Sequence, residues 1–67
     1  MFKINAAVVR EEIFKRGLSL REFAAQAGLN VITAGKIVRD NVKVSMKTVG
    51  TLAKFFNVDG ESLILKD

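Results

Sequence analysis

The segment Asn30–Asp40, NVITAGKIVRD, holds the side chains best suited to chemistry with a partner. At ~100° per residue of helix, Ile32, Lys36 and Arg39 share one side, with Gly35 beside them and Thr33 toward the far edge. Ala34, Ile37 and Val38 take the opposite sector, and Val31 lies near its border. That sector is core: small Ala34 admits a neighbouring helix and Ile37 anchors the contact. The other side has no such use. An apolar side chain beside two cations suits the major groove of duplex DNA. There Ile32, and Val31 from the first turn, can touch a thymine methyl while Lys36 and Arg39 reach guanine edges or phosphates. The plain alternative is a solvated face carrying one exposed isoleucine. Gly35 costs about 1 kcal/mol relative to Ala in a helix interior. Its missing side chain is compatible with a close approach by another surface, such as a DNA backbone or groove wall, with crowding between helices, or with simple tolerated drift.

Catalysis has little support in the residue inventory. The chain has no His and no Cys, which removes the usual general base, thiolate chemistry and the commonest metal ligands. Asp40, Asp59, Glu61 and Asp67 are scattered over element ends and connections, and no Gly-rich phosphate loop occurs. Helix capping and surface charge account for these carboxylates, so neither an enzyme nor a metal or cofactor site is expected.

The 67 residues suffice for one small domain covering 1–67, close to the size below which one apolar core needs help. At 49% hydrophobic, with no Pro, the chain is too apolar for a disordered tail. No stretch approaches the ~18 apolar residues a membrane span requires. A soluble protein in a reducing cytoplasm is the simplest expectation. The net charge is +4 and unevenly placed. Arg21, Lys36, Arg39, Lys43 and Lys47 against Glu22 and Asp40 give residues 17–47 a charge of +3, whereas 48–67 carry −1. A basic balance over helix-forming segments favours a polyanion, nucleic acid ahead of a membrane surface.

The elements that would hold the central segment follow from periodicity and punctuation. Ala6, Val9 and Ile13 predict a first helix over about 5–15, stopped by Gly17. In LSLREF, Ser19 and Glu22 form a capping box flanked by Leu18 and Phe23, which starts a helix over 20–27. Gly28 ends it, and Asn30 caps the next, 31–39, across a connection so short that the two helices must cross steeply. Asp40 and Asn41 end that helix. Ser45 starts another over about 46–56, where Met46, Val49, Leu52, Ala53 and Phe56 repeat at three and four; Asn57 suits its left-handed end, and Asp59 caps a last short helix over 60–64. VKV at 42–44 alternates like a strand but lacks an evident partner. The fold expected is all-α, a compact domain of four to five helices containing a helix-turn-helix.

The run LSLREFAAQAGLNVITAGKIV, continued by VSMKTVGTLAKFFNVDGESLI, resembles the small phage Cro and repressor type of helix-turn-helix domain over residues 18–64. Phe23, Ala24, Gly28, Leu29, Ala34 and Ile37 fit its anchors in one register. The resemblance implies a transcriptional regulator whose helix 31–39 enters the major groove while 20–27 lies across the backbone. It places Val31, Ile32 and Lys36 at base-contact positions and Thr33 at a phosphate or local structural position. Three residues depart from the family pattern: Leu20 stands where a Gln is frequent, Gly35 where a polar residue is usual, and Val38 where an acid is common. Arg21, Lys43 and Lys47 are candidate phosphate contacts, with Arg10 and Arg16 as further candidates; ordinary surface solubility is the alternative for each. One such module covers limited DNA, so a homodimer is expected at least on DNA, with Phe55, Leu63 and Leu65 near the C-terminus either forming that contact or completing the core. A second class of function stays open. Val31, Ile32, Gly35 and Leu20 also suit an antirepressor or other module that captures a protein partner such as a repressor.

Overall fold

A computed structural model describes residues 1–66. In chain order the elements are β1 (Phe2–Lys3), α1 (Ala6–Arg16), α2 (Leu20–Ala27), α3 (Val31–Arg39), β2 (Lys43–Val44), α4 (Met46–Phe56) and a 3₁₀ turn over Gly60–Leu63. The mostly helical architecture and the bounds of the central three helices match the expectation from periodicity.

Local chemistry explains where the helices begin and end. The Ser19 hydroxyl accepts from the Glu22 amide and the Glu22 carboxylate accepts from the Ser19 amide, so the capping box is closed in both directions. The side chains of Asn30 and Ser45 accept from the Ile32 and Thr48 amides at the starts of α3 and α4. Gly17, Gly28 and Asn57 adopt positive φ at helix ends, which glycine does without steric cost and asparagine tolerates. One cap differs from expectation. Asp59 makes no side-chain cap; instead the Ser62 hydroxyl donates to the Asp59 carbonyl. Asn5 does not cap α1 with its side chain either, and the Ala6 amide donates to Asn41 Oδ1 at 2.9 Å, across 35 residues of sequence.

The stretch 42–44 does have a partner, which corrects the reading of it as an unpaired alternation. Phe2 pairs with Val44 and Lys3 with Lys43 in a two-stranded antiparallel ribbon. The pairing continues past the strand ends, because the Ile4 amide donates to the Val42 carbonyl. On the other flank Ile4 bridges Ile64, with the Asn5 amide donating to Leu63 and the Leu65 amide to Lys3. Residues 2–5 thus run between β2 and the segment that follows the 3₁₀ turn. Ile4 and Val44 are buried by this arrangement, which compensates for the shortness of each strand.

One apolar cluster gathers residues from every helix, among them Ile4, Val9, Phe23, Ala24, Ala34, Ile37, Leu52, Phe56 and Leu63. Of the two uses open to Leu63, the structure shows completion of the core: it is fully buried beside α4 and α1. Phe23 stacks on Phe56 with ring centroids 5.7 Å apart and an interplanar angle of 8°, while Phe55 tilts against both. No polar or charged residue is buried among the described residues.

Phe23→Ala should cost about 3–5 kcal/mol, a large share of the 5–15 kcal/mol typical of a whole domain; urea unfolding would measure it. Glu22 is held below its ordinary carboxylate value of 4.5 by its backbone and hydroxyl bonds with Ser19. Its contribution is therefore complete above that value and disappears as pH falls through the lowered folded one. Glu22→Gln retains an acceptor for the Ser19 amide but no charge. Thermal unfolding followed from neutral to acid pH should show a flatter acid limb for this variant than for the wild type.

Candidate nucleic-acid interface

The geometry of α3 follows from its two sides. Ala34 and Ile37 are fully buried and Val38 packs partly against the core, with α2 and α1 as the neighbours on that side. Opposite them Ile32 is 70% exposed and Val31 47% exposed, and Thr33, Lys36 and Arg39 are also exposed. Asn30 is used up in capping, and no acidic residue stands in the first turn of α3. The two cations lie in the last turn, where the helix dipole favours positive charge. The outward strip therefore presents apolar surface at its N-terminal end and positive charge toward its C-terminal end.

Gly35 does not lie open on this strip. It is buried, and the atoms nearest to where its Cβ would stand belong to the guanidinium of Arg39, with Nη1 at 3.3 Å. The space expected for an approaching surface is occupied by the protein's own arginine.

The basic residues divide into two groups. Arg21, Lys36, Arg39, Lys43 and Lys47 are exposed, and none takes part in the ion pairs among the described residues. Those pairs join Lys15 and Arg16 to Glu12, and Lys66 to Glu61. Arg10 and Arg16, both on α1, are occupied. Arg10 Nη1 donates to the Val38 carbonyl at 2.8 Å, satisfying an acceptor in the last turn of α3. Arg16 Nη2 donates to the Phe56 carbonyl at 2.6 Å at the end of α4 and stands over the Phe56 ring, while Nη1 pairs with Glu12 at 2.7 Å. The Arg16 and Lys15 partners hold the Glu12 carboxyl below its ordinary value.

Sequence reasoning grouped Arg10 and Arg16 with the phosphate candidates because both are long cations on a helix. It missed their use as C-terminal caps for other helices. The available signal was position, since Arg10 adjoins the core residue Val9 and so emerges at the edge of the buried stripe. Leu20, in the first turn of α2, is 37% exposed and offers no side-chain hydrogen bond there. No enclosed cavity and no cluster of metal-ligating residues occurs among the described residues, and no helix is long and apolar enough to cross a membrane. What remains is an outward helix face flanked by free cations.

Two short helices joined by a glycine turn, the second with one side in the core and the other open, define a helix-turn-helix domain, a class concerned with DNA binding and transcriptional regulation. The helix-turn-helix family model matches residues 9–63, and the chain belongs to that family. Comparison with curated proteins and with solved structures gives no significant match.

Arg10→Ala should remove the support of the α3 C-terminus and cost about 1–2 kcal/mol of stability, the range for a hydrogen bond from a charged donor in a partly exposed place. Its salt dependence of DNA binding, measured below the unfolding temperature, should match that of the wild type.

Proposed function

We propose that this protein is a sequence-selective duplex-DNA-binding regulator of the small Cro and repressor type, with α3 in the major groove. The observation that supports this reading best is the outward strip of α3, where Ile32, Lys36 and Arg39 are exposed and neither cation is in an ion pair among the described residues. Ile32 and Val31 would meet thymine methyls, Lys36 and Arg39 guanine edges, and Arg21, Lys43, Lys47 and Thr33 the flanking phosphates. With Leu20 unable to offer an amide, and no Asn or Gln on the outward middle of α3, discrimination would rest on methyl contacts, basic residues and DNA shape. Because one module covers little DNA, two copies would occupy a nearly symmetric site. Regulation would be steric or by recruitment, in the cytoplasm and without a cofactor.

The test is salt-titrated retention of a pool of genomic DNA fragments. The wild type should select one sequence, with affinity falling steeply as salt rises. Lys43→Ala should weaken binding evenly across sequences and reduce the salt slope by about 1. Lys36→Ala should instead relax the selected sequence, at about 1–3 kcal/mol for the base pair concerned. Retention of no DNA even at low salt would sink the reading. In that case the exposed apolar pair Val31 and Ile32 would favour capture of a protein partner, an antirepressor role.

A further inference from the structure

We infer that Gly35 is the seat of Arg39, and that through this seat it helps set which base pair the α3 face prefers; the inference rests on the DNA-binding reading above. Glycine in a helix interior is unfavourable, and Gly35 sits in the second turn of a nine-residue helix. Backbone conformation does not call for it, since positive φ among the glycines is confined to Gly17 and Gly28. Nor is another helix the nearest neighbour. The three atoms nearest the absent Cβ are Nη1, Cζ and Nη2 of Arg39, at 3.3, 3.7 and 3.7 Å. All three belong to one guanidinium, lying one turn back along its own helix, the direction in which helical side chains lean.

The seat changes what Arg39 can do. Extended from the last residue of α3, an arginine would sweep a wide volume and meet a phosphate at the groove wall. Folded over Gly35, its planar group lies one turn back along α3, at the level of Gly35 and beside the outward strip instead of beyond the helix end. With α3 in the groove, that position would be nearer the base edges than the helix end is. Arg39 has no carboxylate or carbonyl partner among the described residues, so its fork is free for a ligand. A planar two-pronged donor held flat in that position fits the O6 and N7 acceptors of guanine. Holding it there in the free protein reduces the side-chain freedom lost on binding. Gly35 is thus a positioning residue acting through Arg39, and its use as a point of DNA approach is displaced. At 3.3 Å an added methyl is tighter than ordinary contact, so with alanine the guanidinium must give by a few tenths of an ångström, enough to disturb the fit of a two-pronged contact.

The test is selection from a randomised duplex DNA library by the full chain and by Gly35→Ala, Arg39→Ala, Arg39→Lys and the Gly35→Ala/Arg39→Ala double variant, with circular dichroism confirming that each is folded. The wild type should prefer guanine at one position of each half-site by about 10-fold, within the range for a bidentate contact. Arg39→Ala and Arg39→Lys should both relax that position, because lysine keeps the charge but not the fork. Gly35→Ala should relax the same position, and in the Arg39→Ala background it should change nothing more. Gly35→Ala weakening all sequences evenly, or leaving the guanine preference intact, would overturn the seat. So would Arg39→Ala lowering the salt slope by about 1 with preference unchanged, which would make Arg39 a phosphate contact. Failure of the wild type itself to retain any duplex at low salt would strike the underlying DNA-binding reading, before any variant is compared.

Discussion

Ala34 and Ile37 are the only fully buried side chains on α3, and nearly everything at the candidate interface follows from how narrow that contact is. A helix of nine residues that gives its core so small a footprint must turn most of its circumference outward. Small residues make this possible on both sides of the joint. Ala24 and Ala27 of α2 are buried in the same cluster as Ala34, so the two helices approach closely without interlocking bulky side chains. Phe23 supplies the volume instead, stacked on Phe56 and away from the α2–α3 turn's glycine end. The core is thereby heavy at α4 and light at α3, which leaves α3 attached by one side and free on the other.

A helix attached so lightly needs its ends held, and α1 does part of that work. Arg10 closes an open carbonyl of α3 and Arg16 closes one of α4, so one helix braces the C-termini of two others through hydrogen bonds instead of apolar area. The exchange is reciprocal, because Asn41, just past α3, satisfies the first amide of α1. The net charge of +4 is therefore a poor measure of the field a polyanion would meet. Arg16 is neutralised by Glu12 and Arg10 is spent on structure, whereas Arg21, Lys36, Arg39, Lys43 and Lys47 face solvent and take part in none of the ion pairs among the described residues.

What could be read from sequence was what is local. Ser19 with Glu22, Gly17 and Gly28 at helix ends, and the three-and-four spacing of Val49, Leu52, Ala53 and Phe56 each act within a few residues, and each mark appears where it was read. The outward side of α3 was legible for the same reason, since a period of 3.6 assigns sides without knowledge of neighbours. Contacts that span the chain were not legible. Phe2, Lys3, Ile4 and Asn5 alternate as a strand should, yet four residues carry too little pattern to name partners about 40 and 60 positions away. Arg39 over Gly35 lay in plain spacing, at i and i+4, but side-chain direction and the absence of a competing partner had to be seen together.

The ribbon has a consequence in time as well as in space. Residues 2–5 are held by Val42–Val44 on one flank and by residues 63–65 on the other, so on the ribosome residues 2–5 must wait for residues 63–65 to emerge. Helices α1 to α4 can form and begin to associate while the nascent chain lengthens, because their contacts are closer along the chain. Ile4 can be sealed only after Ile64 has left the exit tunnel, so completion of this fold is tied to completion of synthesis up to that point.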